Sequence, residues 1–332
     1  MTSGLHHVTL ITRKVQANVD FYAGFLGLRL VKRTAGFEDA TQLHLFYGDA
    51  VASPGSLVTF LVWEDGSPGR VGHGAPSEIA LAIRPDAIGF WLTRALRFNI
   101  PSTGPALEFG EPVLRLTDPD GVVVKLVGIE DAGDIAPWAR DDIPVESAIR
   151  KLRGATILSE KVAETVAFLR GSMGFRPIAE QGVQTRLISD AGGVLDVRDA
   201  GGFWTAAPGT GTIDHIAVRA PDRAAVEAAA QALQDGAHGG TAVHDRTYFY
   251  SLYVREPGGT LIELASDGPG FAVDEPVEVL GSTLFVPGHV GGHRQDVIVQ
   301  LPQFGLPGQP RTVYRDLPFV HRIHDADNPD GS

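Results

Sequence analysis

Two spacings of apolar residues take turns along the chain. Runs of period two read as strands, and stretches of period near 3.6 read as amphipathic helices. "HVTLITRKVQANVDFYAGFLGLRL", from His7 to Leu30, passes from strand to helix and leaves through Leu-Gly-Leu. "GATILSEKVAETVAFLRGSMGFRP", from Gly154 to Pro177, repeats that order, with Phe168 and Gly174 standing 147 positions after Phe21 and Gly27. Both helices are expected to end at a glycine, where the chain can enter the left-handed region. A second pair of similar stretches joins "SEIALAIRPD" (77–86) to "DHIAVRAPD" (214–222), and "DPDGVVVKLV" (118–127) to "EPGGTLIELA" (256–265). The latter two are Pro-x-Gly turns followed by a strand, as in a hairpin return. Four units result, roughly 4–65, 75–130, 152–200 and 211–267, each a strand, a helix and two or three further strands.

The polar, Pro-containing stretch "GIEDAGDIAPWARDDIPVES" reads as the connection between two halves, residues 1–135 and 150–270, with two units in each. Beyond Gly270 the chain becomes Gly/Pro-rich. Residues 271–332 read as a tail lying over the body, with "DADNPDGS" frayed at its end.

Strand parity selects a set of polar side chains. In "LHHVTLI", His7, Thr9 and Ile11 share one face, and His6, Val8 and Leu10 share the face that a helix would cover. In "DHIAVRA", His215 lies on the face of Ala217 and Arg219; in "TLIELA", Glu263 lies with Leu261 and Ala265. The repeat supplies an internal control. The counterparts of His7, His215 and Glu263 are Gly154, Glu78 and Lys125, a set that cannot bind a metal. One duplicated scaffold with one live and one silent site accounts for the difference. Two imidazoles and a carboxylate form the facial triad that suits non-haem Fe(II) and leaves positions open for substrate and O2; Mn(II) fits the same ligands.

Composition narrows the alternatives. The chain has 332 residues, no cysteine and a formal charge of −12. Disulfides and thiolate metal sites are excluded, and a nucleic-acid partner is not expected without a clustered basic surface. No apolar run reaches the length of about 18 residues that spans a bilayer, and no signal pattern opens the chain, so a cytoplasmic location is expected. His44, His73, His238 and His244 are scattered and read as surface or loop residues. His289 and His293 in "GHVGGHRQ" read as solvent-facing or lining a lid.

"GLHHVTLITR", "IDHIAV", "DRTYFYSLYVREPGGTLIEL" and "ASDGPGFAVDEP" resemble the ring-cleaving, extradiol-type dioxygenases of the vicinal oxygen chelate superfamily, in the branch of the hydroquinone dioxygenases. The similarity runs through about residues 4–275. It implies an α+β fold of four βαβββ modules paired into two open, barrel-like cups, with the first and fourth modules forming the metal cup. It places the metal triad on His7, His215 and Glu263; a strand slipped by one would put His6 in place of His7, and parity favours His7. It further implies that His6, Thr9, Arg246 and Tyr253 act beside the metal ligands. Arg246 would hold a substrate oxyanion, Tyr253 would hydrogen-bond substrate or superoxide, and His6 would serve as acid or base. Bland roles compete: an ion pair for Arg246, core packing for Tyr253. Asp214 departs from the pattern, since relatives that cleave hydroquinone resemble a His-His pair there.

The expected activity is Fe(II)-dependent insertion of O2 into a hydroquinone- or catechol-type ring, as in aromatic degradation, by a chain acting alone or as a homo-oligomer. Two other classes compete. A glyoxalase-like isomerase using Zn or Ni usually needs a fourth ligand, where "GSLVTFLVWED" offers Thr59 and Leu61. A metal-free small-molecule-binding protein on the same scaffold needs no triad.

Overall fold

A computed structural model describes residues 4–37, 39–131, 137–236, 239–288, 293–309 and 319–320. The first module runs from β1 (Leu5–Thr12) into α1 (Val15–Val19), which continues as a π-helical stretch over Asp20–Phe25. β2 (Arg29–Ala35), β3 (Leu43–Gly48) and β4 (Leu57–Val62) follow. The second holds β5 (Ala75–Ile83), α2 (Ile88–Arg97), β6 (Ser102–Glu108), β7 (Glu111–Thr117) and β8 (Val123–Gly128). The third holds β9 (Lys151–Ser159), α3 (Val162–Gly171), β10 (Arg176–Gln181), β11 (Gln184–Ile188) and β12 (Val194–Asp199). The fourth holds β13 (Thr212–Ala220), α4 (Arg223–Asp235), β14 (His244–Asp245), β15 (Phe249–Arg255) and β16 (Leu261–Pro269). Gly27 and Gly174 end the corresponding helical segments at φ +73° and +72°. A Cβ on Gly27 would stand 2.4 Å from Ile143 Cδ1, so both conformation and space require glycine there.

In every module the last strand returns parallel to the first, so β4 lies beside β1 and β16 beside β13. The Pro-x-Gly turns make this return. Glu256 accepts the backbone N–H groups of Gly258 and Thr260, and Asp118 accepts those of Asp120 and Val122. The other edge of each first strand would be exposed, and it pairs antiparallel with another first strand: β1 with β13, β5 with β9. The second and third modules therefore share one sheet, while the first and fourth, at the two ends of the repeat, share the other. One sheet runs β14-β15-β16-β13-β1-β4-β3-β2 and gathers the first and fourth modules; the other runs β10-β11-β12-β9-β5-β8-β7-β6. Val8 and Leu10 pack into the core that also holds Val15, Tyr22 and Phe25 of the first helix, while His7 and Thr9 line a cavity on the other side of the sheet.

The tail extends the first sheet and seals it. β17 (Leu284–Phe285) pairs parallel with β2, and β18 (Phe319–Val320) pairs with β17. α5 (Arg294–Gln300) buries Val297 and Ile298. Phe271, Leu280 and Phe285 pack with Val31, Phe46 and Tyr248. The fully buried Lys32 ammonium bonds Asp274 (2.6 Å) and Glu275, and Glu275 also accepts the N–H of Thr283 (2.7 Å). The terminal "DADNPDGS", His238 and His289 lie outside the described residues.

Candidate metal centre

Three neighbouring strands carry the centre: His7 on β1, His215 on β13 and Glu263 on β16. The register puts His7 opposite Ala217, and Ala217 opposite Glu263. A methyl group thus separates the two longer side chains and leaves room above itself. His215 lies two positions along β13. Glu263 Oε2 stands 2.9 Å from Nε2 of each histidine, and the two Nε2 atoms are 3.4 Å apart.

The donor set fits a cation. Glu263 is fully buried, and neither of its oxygens accepts a well-directed hydrogen bond among the described residues. A carboxylate left so costs several kcal/mol unless positive charge stands beside it. The three ligand atoms lie within 4.8 Å of one another, and among the described residues this is the metal-compatible group. Both imidazoles are also oriented from behind. Asp214 Oδ2 lies 2.6 Å from Nδ1 of His215, and His6 Nδ1 lies 2.9 Å from Nδ1 of His7. With each Nδ1 engaged, both Nε2 atoms are presented to the cavity.

Electrostatics follow from burial and neighbours. Burial alone would lower the pKa of His215, but Asp214 and Glu263 outweigh it and raise the group to about 9. Burial favours protonated Glu263, yet the two imidazoles hold it well below the usual carboxylate range. Burial lowers His7 against the pull of Glu263, and lowers His6 to about 3, leaving it neutral.

The cavity above the centre measures about 370 Å³. Thr9, Arg246 and Tyr253 line it with the three candidate ligands; His6 is not among the lining residues. The Arg246 guanidinium lies 5.7 Å from the ring centroid of Tyr253, and burial raises the Tyr253 phenol well above its ordinary value. Phe37, Phe46, Tyr248 and Phe249 supply aromatic surface. On β4 the cavity meets Leu61, and Thr59 bonds Thr9 across the strands at 2.8 Å; neither is a carboxylate.

Two histidines lie elsewhere than the sequence reading puts them. His6 was expected on the face of Val8 and Leu10. The pairing of β1 with β13 is irregular between Leu5 and His7, and at that slip His6 turns to Nδ1 of His7 and the Phe249 ring, 5.2 Å away. His44, expected at the surface or in a loop, is on β3 and lines the cavity. The clue was its alternation in "LHLFYG", where His44 shares a face with Phe46 and not with Leu43, Leu45 and Tyr47. Among the remaining histidines, His244 forms part of β14, His73 bonds Thr205, and His293 is exposed.

The second cup holds its own cation. Lys125 Nζ lies 3.2 Å from Glu78 and 3.9 Å from Asp196, Arg115 bonds Glu78, and Arg186 bonds Asp196. Gly154 stands beside Ala80 as His7 stands beside Ala217. A lysine ammonium at the position of Glu263 neutralises the carboxylates from within.

Paired βαβββ sheets with a His-His-carboxylate group able to hold a metal at the floor of a cup define a protein of the glyoxalase fold. The sequence matches the Glyoxalase/Bleomycin resistance protein/Dioxygenase superfamily over residues 4–126 and 152–264, and the chain belongs to that superfamily. It is 36% identical over 298 residues to MhqO of Bacillus subtilis (strain 168), named as a ring-cleaving dioxygenase, covering 89% of this chain and 95% of that protein. It is 31% identical over 308 residues to a chlorohydroquinone/hydroquinone 1,2-dioxygenase of Sphingobium indicum, covering 89% and 94%. A crystal structure of a Bacillus subtilis protein described as a dioxygenase superposes with a TM-score of 0.87 at 35% identity, covering 92% of this chain and 98% of that one.

Proposed function

We propose that the protein is a ring-cleaving dioxygenase that holds Fe(II) on His7, His215 and Glu263 and inserts both atoms of O2 into a hydroquinone- or catechol-type ring. The observation that carries this is the meeting of two imidazoles and one carboxylate within 4.8 Å in a cavity with aromatic walls. The similarity to proteins named for that chemistry supports it. Bound Fe(II) would supply the one-electron path by which triplet O2 and a closed-shell ring can react despite their spin mismatch; Mn(II) suits the same ligands.

The chain's residues bind and orient. Aromatic walls receive the flat ring and exclude water. The Arg246 guanidinium offers positive charge to a ring oxyanion, and the Tyr253 phenol, kept protonated by burial, donates a hydrogen bond. Neutral His6 accepts from Nδ1 of His7 and so holds that ring with its Nε2 toward the centre. Thr9 is tied to Thr59 and shapes the floor.

The test is O2 uptake by protein loaded anaerobically with Fe(II), against a panel of hydroquinones and catechols. Mass spectrometry with 18O2 should find two labelled oxygens in a ring-opened product. No uptake with any member of the panel overturns the proposal.

A further inference from the structure

The cavity extends well past the triad, and its far wall carries a histidine that the proposed chemistry does not use. On β4, Leu57 stands opposite His7, Thr59 opposite Thr9, and Leu61 opposite Ile11; across the next strand pair, His44 stands opposite Leu61. The His44 backbone is therefore four residues farther along the sheet than that of His7, and its ring reaches back to the level of Thr59, two residues past His7, about 7 Å at the rise of a strand. Its side chain is held. Nε2 lies 3.2 Å from Thr59 Oγ1, which is bonded to Thr9, and the ring lies 4.1 Å from that of Phe46. Nδ1 makes no hydrogen bond among the described residues, and His44 lines the cavity. Burial lowers the group to about 3, so the imidazole is neutral, with one donor and one acceptor nitrogen.

A benzene ring anchored by one oxygen at the triad keeps an ortho oxygen at the triad end and sends a para oxygen away from it, to where His44 lines the cavity. We propose that His44 hydrogen-bonds the ring oxygen para to the anchored one, and so favours a para-diol over a phenol that lacks that oxygen. This rests on the dioxygenase reading and assigns its substrate class. Thr59 and Phe46 fix the imidazole in advance, so little rotamer freedom is lost when the bond forms.

The experiment is anaerobic calorimetric titration of Fe(II)-loaded wild type, His44→Phe and His44→Asn with hydroquinone, catechol and phenol. Phe keeps the stack on Phe46, and Asn keeps a polar atom near the position of Nδ1. Wild type should bind hydroquinone on the order of fivefold to tenfold more tightly than phenol, the worth of one net hydrogen bond. In H44F that ratio should collapse to within about twofold, H44N should retain part of it, and catechol affinity should hold steady. A hydroquinone-to-phenol ratio unchanged in H44F, or no preference in wild type, overturns the role of His44 and leaves the dioxygenase reading standing. If wild type binds none of the three, the dioxygenase reading fails and this one fails with it.

Discussion

Asp214 Oδ2 approaches Nδ1 of His215 to 2.6 Å, and the pair stands on the strand joining the first module to the fourth. A carboxylate behind an imidazole fixes its tautomer and strengthens Nε2 as a ligand. Asp214→Asn should keep the fold and lose about 10- to 100-fold in metal affinity. Competition against a chromophoric chelator measures it; an affinity within threefold of wild type would count against the relay.

A metal must displace a proton to enter. In the metal-free protein His215 holds its proton to about pH 9, through Asp214 and Glu263, against burial. Metal binding at pH 7 should therefore release about one proton, and affinity should climb as pH rises toward 9. The same raised value stabilises the metal-free fold below the ordinary histidine pKa of about 6.5, and that gain fades through pH 9. Calorimetry of metal binding in buffers with different heats of ionisation counts the proton; a slope near zero contradicts the account.

Metal should also stabilise the fold by mass action. At about 100 times its Kd an ion adds about 2.7 kcal/mol, visible as a rise in Tm. Glu263→Gln removes the charge at a fully buried position and should abolish that rise while the metal-free protein still melts cooperatively. A full metal-induced shift in E263Q would show that the ion binds elsewhere.

Lys32 anchors the tail to the metal cup through Asp274 and Glu275. Its replacement leaves two largely buried carboxylates without their cation. Lys32→Met should therefore cost about 3–5 kcal/mol, a loss typical of a broken buried pair. Chemical denaturation reads the loss, and proteolysis should cut first within residues 271–288. An unchanged midpoint would mean that the tail is held chiefly by the packing of Phe271, Leu280 and Phe285.

Much of this architecture is written locally. Period-two alternation assigns His7 and Thr9 to one face and Val8 and Leu10 to the other, because successive strand side chains must point to opposite sides. The repeat likewise exposes the contrast between His7, His215, Glu263 and Gly154, Glu78, Lys125, since equivalent positions can be compared without knowing any contact. Three features depended on tertiary structure. His6 leaves its parity face because the pairing of β1 with β13 slips between Leu5 and His7, and a slip belongs to two strands at once. His44 reaches the cavity because β3 follows β4 across the sheet, which nothing within "LHLFYG" encodes. Lys32 meets Glu275 across more than two hundred residues of chain, where buried charges pair only after the tail has docked. Face and repeat are properties of neighbours in sequence; slips, sheet order and buried ion pairs arise only when distant strands commit to a common register.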